Sequence, residues 1–289
     1  MKTDTLVLPA PAKLNLFLRI TGRRPDGYHD LQTVFQLLDW GDDVSLTRLE
    51  DGSIRRGADI EGVAVDDDLS LRAATALGEA ARSADRPFGG AEVTVHKRIP
   101  QGSGLGGSST DAATVLLGLN HLWGCGFSLG QLAEIGLQLG ADVPVFVRGR
   151  SAWAEGIGDD LEPVALGERW YVLVFPRVHA ATACLFADPE LERNSPALPR
   201  ELRGDLCAHG NAFLPVLKKR EPAVAEAVER LSAYGAPRLS GSGSTLYLEA
   251  VDEAEAHRLT TALKNHYNVR AVRGLDESPL HAALAFAGR

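Results

Sequence analysis

The most constraining feature of this chain is a glycine-rich stretch, PQGSGLGGSSTDAA, at residues 100–113. It contains four glycines and lies between a strand-like segment, EVTVHKRI, and a helix-like segment, ATVLLGLNHLW. Glycines let backbone N–H groups approach a ligand closely, and a helix N-terminus offers unpaired donors with partial positive charge. The stretch therefore predicts an anion site, usually for a phosphate group; the competing interpretation is a structural turn that ends in an ordinary helix cap.

Two familiar nucleotide-binding motifs fit this stretch poorly. Gly102, Gly104 and Gly107 satisfy the dinucleotide pattern G-x-G-x-x-G, but that pattern requires a second strand with an acidic residue about 20 positions on. A helix-like segment, LGQLAEIGLQLG, follows instead. The G-x-x-x-x-G spacing of a P-loop is also present, but Ser108 lies where that motif requires lysine. The sequence thus disfavours a dinucleotide oxidoreductase and a Walker-type NTPase.

The helix after the glycines is predicted to begin with hydroxyl side chains. Ser108, Ser109 and Thr110 are candidate caps, and Asp111, three residues after Ser108, resembles the second half of a capping box. Apolar residues then recur at helical spacing, which predicts one buried face made of Ala112, Val115, Leu116, Leu119, Leu122 and Trp123.

Hydrophobic periodicity gives a coarse map of the whole chain. Strand-like segments lie near 6–20, 29–38, 43–49, 91–98, 151–155, 170–176, 244–250 and 268–273, and helix-like segments lie near 69–84, 109–123, 128–139, 208–217, 221–233 and 253–265. Because the strands cluster rather than alternate strictly with helices, the map favours an α+β fold. A glycine- and acid-rich stretch at 156–168 is the predicted connection between two lobes.

Composition limits the classes of function. The 289 residues are 45% hydrophobic and 24% charged, as in a globular protein, and no apolar run approaches the ~18 residues of a membrane span, so a cytoplasmic location is expected. A net charge of −8 argues against nucleic-acid binding. Cys125, Cys184 and Cys207 lie far apart in the sequence without C-x-x-C spacing, which argues against a zinc cluster or a disulfide framework. An anionic substrate would need a local basic pocket, for which the candidates are Lys13, Arg19, Arg23, Arg24, Lys97 and Arg98.

The first strand carries an unusual polar pair. In PAKLNLFLRI, period-two alternation puts Lys13 and Asn15 on the same face as Phe17 and Arg19, opposite a fully apolar face. This face is either solvated or lines a pocket in which the lysine neutralises phosphate charge. A plain solvated face would rarely include a phenylalanine, but both interpretations stay open.

Two further segments hold candidate residues. A turn at 25–27 is followed by Tyr28 and His29, an aromatic pair that either stacks on a nucleobase or packs at the rim of the core. Asp142 lies between Gly140, the predicted C-cap of one helix, and Pro144, which prevents that helix from continuing. An aspartate in such a place is usually a cap or turn residue.

Taken in order, PAKLNLFL, RPDGYHDLQTVFQ, PQGSGLGGSSTDAA, GADVPVFVRGRSAWAEGIGD, LFADPELERNSP and RLSGSGSTLYL resemble the superfamily of galactokinase, homoserine kinase, mevalonate kinase and phosphomevalonate kinase. PDGYH and GADVPVF resemble in particular one branch of this superfamily, the branch whose phosphoryl acceptor is a cytidine-diphosphate-linked methylerythritol. The resemblance implies an ATP-dependent kinase that phosphorylates the 2-hydroxyl of 4-diphosphocytidyl-2-C-methyl-D-erythritol, a step of the non-mevalonate route to isoprenoid precursors. It also implies an ATP-binding N-terminal lobe over 1–160, similar to the second domain of ribosomal protein S5, and a ferredoxin-like C-terminal lobe over 161–289.

The same resemblance implies roles for individual residues. Asp142 would orient the acceptor hydroxyl and take its proton, Lys13 would stabilise charge on the alkoxide and the γ-phosphate, and Asn15 would position the acceptor. The ATP phosphate loop would comprise Pro100, Gly102, Ser103, Gly104, Leu105, Gly106, Gly107, Ser108 and Ser109, although Ser103 and Ser108 replace more familiar glycines. The substrate side would comprise Tyr28, His29 and Phe186, with cytosine between the Tyr28 and Phe186 rings, together with Gly241 and Ser242.

The resemblance implies Mg²⁺ as well, without a protein ligand that can be named beyond Ser109 or Thr110 as candidates. The expected partner is the small-molecule substrate, with no nucleic acid or membrane, and the chain is expected to be a monomer or a weak homodimer. Two alternatives remain: a kinase of the same superfamily with another alcohol, and a catalytically silent nucleotide-binding regulator. The presence of both Lys13 and Asp142 favours an enzyme.

Overall fold

The computed structural model describes residues 5–178, 182–200 and 206–287. Ten strands and nine α-helices follow one another in the described part of the chain. In chain order they are β1 (Thr5–Arg23), β2 (His29–Leu49), β3 (Ile54–Arg56), α1 (Leu69–Ser83), β4 (Gly90–His96), α2 (Gly107–Trp123), α3 (Leu129–Leu137), α4 (Val143–Arg148), β5 (Ala152–Glu155), β6 (Asp160–Pro163), β7 (Arg169–Phe175), α5 (Thr182–Phe186), α6 (Phe213–Arg220), α7 (Pro222–Leu231), β8 (Arg238–Leu239), β9 (Leu246–Ala250), α8 (Glu253–Leu263), β10 (Asn268–Leu275) and α9 (Pro279–Ala287).

The strands form one mixed sheet organised by β2. The first strand, β1, pairs antiparallel with β2 along nearly its whole length, and β2 also pairs with β4, β10 and β5 at successive positions. Beyond β10 the sheet continues through β7, β9 and β8, and the short β3 pairs parallel to β4. The predicted α+β class is confirmed, and the two strands predicted at 29–38 and 43–49 are one continuous strand.

Strand β1 passes through all three hydrophobic clusters of the core. Its first half, with Leu8 and Ala10, packs with helices α1 to α4, while its end, with Leu18 and Ile20, packs with α6, α7 and α8. Its middle, from 12 to 17, lies in the cluster between them. Both faces of β1 are therefore buried in the middle of the strand, so the interpretation of the Lys13 face as solvated is wrong. The register also shifts between Asn15 and Leu18, so the strand does not alternate strictly.

Helix α2 begins differently from the prediction. Gly106 is its N-cap residue, in a left-handed conformation (φ +76°) and without a side-chain cap, and the helix starts at Gly107. Residues 108–110 therefore lie in the first turn, and the predicted capping box is wrong because Asp111 instead binds Lys97 (2.7 Å). The predicted buried face is confirmed, since Ala112, Val115, Leu116, Leu119 and Trp123 are at most 3% exposed and Leu122 packs against them.

Helices α3 and α9 also differ from or extend what the sequence predicts. Helix α3 ends at Leu137, so its C-cap residue is Gln138 rather than Gly140; a capping box formed by Ser128 and Gln131 fixes its start. The segment after β10 forms helix α9, whose Leu280 is fully buried in the first core cluster, so the end of the chain packs against helices of the first half. None of the described helices has the length and apolar character needed to cross a bilayer.

Candidate active site

A cavity of about 740 Å³ opens between the middle of β1 and the loops around it. It collects many of the residues singled out in the sequence: Lys13, Asn15, Tyr28, His29, Gly102, Gly104, Gly106, Ser109, Asp142, Phe186, Gly241 and Ser242. Five members of the predicted phosphate loop are absent from its lining: Pro100, Ser103, Leu105, Gly107 and Ser108. Leu105 is fully buried in the central core cluster, which anchors the loop beneath the cavity.

Lys13 is the charged centre of this cavity. Its side chain is 3% exposed, and its Nζ lies 3.2 Å from Asp142 Oδ2, 2.5 Å from Asn15 Oδ1 and 3.2 Å from the Gly104 carbonyl oxygen. The ammonium also lies 5.2 Å from the centre of the Phe35 ring. The ammonium thus donates to two oxygens and pairs with one carboxylate, so the buried lysine is both hydrogen-bonded and ion-paired. Asp142 is 34% exposed, so its carboxylate faces the cavity as well as the lysine.

Asn15 is held in one orientation by a short chain of hydrogen bonds. Its Nδ2 donates to Thr33 Oγ1 (2.9 Å), which donates to the Phe17 carbonyl, and its Oδ1 accepts from Lys13. The backbone N–H of Asn15 donates to Ser240 Oγ (3.2 Å). A buried amide with its groups satisfied in this way has a fixed direction, so the polar end of Asn15 is preorganised beside Lys13.

The first glycine-rich loop, at residues 100–109, packs directly against a second glycine-rich loop, SGSGST at residues 240–245. The Thr245 N–H donates to the Ser103 carbonyl (3.1 Å), and Ser240 Oγ donates to the Gly104 carbonyl (2.9 Å). Gly104 has φ +76°, and a Cβ there would lie 2.1 Å from the Ser240 carbonyl oxygen. Only glycine satisfies both the left-handed conformation and this close approach. Part of the glycine content therefore serves the contact between the loops, in addition to exposing N–H groups.

The opposite end of the cavity is aromatic. The His29 and Phe186 rings are stacked with centroids 4.8 Å apart, and Phe186 meets Phe213 edge-to-face at 4.9 Å. Tyr28 lines the same end and is 63% exposed. Burial, with Arg193 and Arg23 nearby, lowers the pKa of His29, so its ring is neutral near pH 7. Its Nε2 is buried and has no hydrogen-bond partner among the described residues.

A smaller cavity of about 180 Å³ lies on the other side of the first glycine loop. Ser108, Lys97 and Asp111 line it together with Val63 and Leu69. The loop thus separates two cavities and contributes residues to both.

A buried charge cluster borders this smaller cavity. Lys97 Nζ binds Asp42 Oδ2 (2.5 Å) and Asp111 Oδ2 (2.7 Å), and Asp42 also accepts the N–H groups of Arg98 and Ile99. Burial, reinforced by the charge of Asp42 and opposed by Lys97, raises the pKa of Asp111 to about 7. Asp111 therefore gains a proton near neutral pH.

Most of the other cations predicted to form a basic pocket have local partners. Arg24 pairs with Asp30 and Arg98 with Asp43, each at 2.7 Å. Arg19 lines a separate cavity. Among the described residues that line the large cavity, Lys13 is the only lysine or arginine.

The residues present are compatible with Mg²⁺ held mainly by a nucleotide. The described residues contain no cluster of three histidine, cysteine, aspartate or glutamate side chains that would bind a metal by itself. Mg²⁺ in kinases is usually bound by substrate phosphates, water and one or two protein oxygens. Asp142 and Ser109 line the cavity and supply such oxygens, whereas Thr110 is fully buried.

Several residues of the site were not singled out from the sequence. Thr33, Phe35 and Phe213 line the cavity, and Ser240 links the second glycine loop to both Asn15 and Gly104. Ser240 lies in the SGSGST motif and was within reach of pattern reasoning. The other three lie in ordinary apolar or strand segments that carry no local signal.

The chain is similar to known kinases along most of its length. Residues 68–150 match the GHMP kinases N terminal domain and residues 188–269 match the GHMP kinases C terminal domain. A protein of Xanthomonas oryzae pv. oryzae (strain MAFF 311018) named 4-diphosphocytidyl-2-C-methyl-D-erythritol kinase is 54% identical over 283 residues, which cover 96% of this chain and 93% of that protein. A protein of the same name from Halorhodospira halophila is 49% identical and covers 99% of both chains.

Solved structures give the same result. A crystal structure of 4-(cytidine 5'-diphospho)-2C-methyl-D-erythritol kinase matches with a TM-score of 0.80 and 32% identity, covering 93% of this chain and 99% of that one. A mevalonate kinase structure, at 14% identity and a TM-score of 0.69, covers 94% of this chain and 100% of that one and shows a shared fold. With this coverage and identity, the chain belongs to the 4-diphosphocytidyl-2-C-methyl-D-erythritol kinase family of GHMP kinases.

Proposed function

We propose that this chain transfers the γ-phosphoryl group of ATP to the 2-hydroxyl of 4-diphosphocytidyl-2-C-methyl-D-erythritol. The observation that carries the proposal is the Lys13–Asp142 pair, with 3.2 Å between Nζ and Oδ2. This pair lies in one cavity with two glycine loops and an aromatic end. A kinase for this acceptor needs each part: a phosphate site, a charged centre for the transfer, and a pocket for a nucleobase.

The proposed role of Asp142 is to orient the acceptor hydroxyl and accept its proton. A carboxylate is a much weaker base than an alkoxide, so the proton moves as the oxygen forms its bond to phosphorus. Positioning and electrostatic stabilisation then supply most of the acceleration, as in phosphoryl transfer generally. The exposed part of Asp142 supports this role, because it faces the cavity where an acceptor would lie.

The proposed role of Lys13 is to stabilise negative charge on the transferred phosphoryl group and on the acceptor oxygen. Its ammonium is nearly excluded from water, and in such an environment a fixed charge acts more strongly than on the surface. Asn15 keeps the ammonium aimed towards Asp142 through its Oδ1. The neighbouring Nδ2 group donates to Thr33, which also lines the large cavity. A change at Asn15 should therefore alter the position of the acceptor more than the binding of ATP.

The proposed ATP site spans the first glycine loop. The phosphates would lie on residues 102–109, at the N-terminus of α2, where free N–H groups and the helix dipole favour an anion. The nucleoside would lie in the smaller cavity, against Leu69 and Val63 and beside Ser108. Mg²⁺, when bound with ATP, would neutralise phosphate oxygens, with Ser109 and Asp142 as the protein groups able to reach it.

The proposed cytosine site is the aromatic end of the cavity. Phe186 already stacks on His29, so a base would use the remaining face of Phe186 and the ring of Tyr28. Stacking of a base on an aromatic ring contributes about 1–3 kcal/mol. The buried, unpartnered Nε2 of neutral His29 would supply a hydrogen bond that an apolar pocket lacks.

Finer features of the architecture and the cellular context are also proposed. We infer a division near residue 160 into an S5-domain-2-like lobe and a ferredoxin-like lobe, supported by a second core cluster made mainly of residues after 161. That cluster also includes Leu18 and Ile20 of β1, and α9 packs on the first cluster, so each lobe contains segments from the other half. A cytoplasmic monomer or weak homodimer remains the prediction for location and assembly.

The test is ADP release from Mg·ATP by purified protein with 4-diphosphocytidyl-2-C-methyl-D-erythritol, mevalonate, homoserine or galactose as acceptor. Turnover restricted to the cytidine-linked alcohol is the expected result. Turnover with another alcohol would keep the phosphoryl-transfer site and overturn the acceptor. ATP binding without turnover on any of the four would overturn the enzyme and favour the silent regulator.

A further inference from the structure

The placement of Asp142 depends on a very short helix. Asp142 is the residue immediately before α4, which has only six residues, and its side chain makes no cap hydrogen bond to that helix. A helix of this length has little stability of its own and relies on contacts with other elements. Whatever holds α4 therefore also fixes where the Asp142 carboxylate lies relative to Lys13.

The C-terminal segment contacts the end of α4 through backbone hydrogen bonds and one buried leucine. The Ser278 N–H donates to the Gly149 carbonyl (2.9 Å), and the Ser151 N–H donates to the Asp276 carbonyl (3.0 Å). Leu280 is fully buried in the same core cluster as Val143, Val145, Phe146 and Val147 of α4. These contacts bring the last helix of the described chain against the helix that follows the proposed catalytic carboxylate.

His281 supplies the contact that α4 cannot make for itself. Its Nε2 lies 3.0 Å from the Val147 carbonyl oxygen. This carbonyl is in the last turn of α4, where carbonyl groups have no partner within the helix. Because a carbonyl oxygen only accepts, Nε2 carries the proton and donates. A Cβ at Gly149 would lie 2.3 Å from Nε2, so the ring is packed tightly on the backbone that ends the helix.

We propose that His281 is a positioning residue for Asp142, acting through α4. The inference rests on the proposed catalytic function of Asp142. Without the His281 hydrogen bond, the C-terminal end of α4 loses one of its polar anchors and the short helix shifts, moving Asp142 away from its pairing distance to Lys13. The residues proposed to bind ATP and cytosine lie on other elements, so turnover is affected and substrate binding is not.

The test compares His281→Leu with His281→Gln. Leucine keeps apolar contact but cannot donate, whereas the glutamine amide places a donor where Nε2 was. We expect His281→Leu to lower kcat about tenfold or more, since misplacement by 1 Å at a distance from the chemistry can cost ~100-fold. KM for ATP and for the acceptor should stay within about twofold, and His281→Gln should restore kcat to within about threefold of wild type. His257→Leu, at a 64% exposed histidine of α8, is the matched control.

Asp142→Asn is measured in the same assays, so that failure of the catalytic role of Asp142 is distinguished from failure of the positioning role of His281. If Asp142→Asn turns over normally, the catalytic function of Asp142 is wrong and His281 has nothing to position. If Asp142→Asn is impaired while His281→Leu is normal, or if the Gln and Leu variants are equally impaired, the positioning role alone is overturned. Should His281→Leu not fold, His281→Asn replaces it, because asparagine is too short to reach Val147.

Discussion

Replacing Gly104 with alanine should break the contact between the two glycine loops. The new Cβ would lie 2.1 Å from the Ser240 carbonyl oxygen and 2.9 Å from that of Gly243. Ordinary C···O contacts lie at about 3.4 Å, so the loops would have to separate by about 1.3 Å. The left-handed backbone at φ +76° adds strain for any L side chain.

The size of the effect follows from these two costs. A left-handed alanine costs about 1–2 kcal/mol and overpacking costs about 1–3 kcal/mol, so Gly104→Ala should lose about 2–5 kcal/mol of unfolding free energy. In a chain of this size that corresponds to a Tm lower by about 4–10 °C. Because the Gly104 carbonyl also contacts Lys13, kcat should fall by about 100-fold.

The control is Gly126→Ala. Gly126 has nearly the same backbone conformation, φ +71°, but a Cβ there would meet no atom within 4 Å. It should lose only the strain cost, about 1–2 kcal/mol, and keep its kcat. Thermal unfolding and steady-state ADP release are measured for both variants. Equal loss of stability in the two variants, or a normal kcat for Gly104→Ala, would refute the tight packing of the loops beside Lys13.

Three further perturbations test other parts of the site. The Asp111 carboxyl binds a proton more tightly in the folded chain than in the unfolded one, so the loss of unfolding free energy through Asp111 grows from about pH 4 to pH 7 and is complete above pH 7. Asp111→Asn should therefore raise Tm relative to wild type more at pH 8 than at pH 5, and a pH-independent difference would contradict this. Tyr247→Phe removes a buried hydroxyl that donates to the Asn15 and Leu16 carbonyls of β1. It should lower kcat several-fold more than Tyr171→Phe, which removes a hydroxyl bound to Gln36. Equal kcat in the two variants would contradict a role for Tyr247 in fixing the strand. Phe186→Ala should raise KM for the acceptor about tenfold or more and leave KM for ATP nearly unchanged, whereas equal increases would remove Phe186 from the base pocket.

The sequence predicts local features of the site well. Lys13 and Asn15 are two residues apart on a strand, so period-two alternation puts them side by side without any knowledge of the fold. The predicted helix face after the glycine loop is also correct, because its apolar spacing is long and regular. The predicted N-cap of α2 is wrong because Gly106, in a left-handed conformation, is the residue that precedes the helix. The hydroxyl side chains at 108–110 do not reveal that conformation.

What the sequence does not predict is the long-range assembly. Asp142 meets Lys13 because α4 packs against α2 and α3, and its local context resembles an ordinary turn between two helices. Phe213 meets Phe186 edge-to-face through the packing of α6, although the sequence around it predicts only an ordinary amphipathic helix. The resemblance to known kinases implies the roles proposed for Asp142 and Phe186, whereas periodicity and spacing do not.

The central claim is that the Lys13–Asp142 pair performs the transfer, and single-turnover measurement on Asp142→Asn tests it most directly. Isothermal titration calorimetry gives the affinities for ATP and for 4-diphosphocytidyl-2-C-methyl-D-erythritol, and chemical quench gives the rate of product formation. The account predicts affinities within a few-fold of wild type and a rate lower by about 10²–10⁴-fold, as for a positioned acid or base. A transfer rate within threefold of wild type, with both substrates bound, would contradict it.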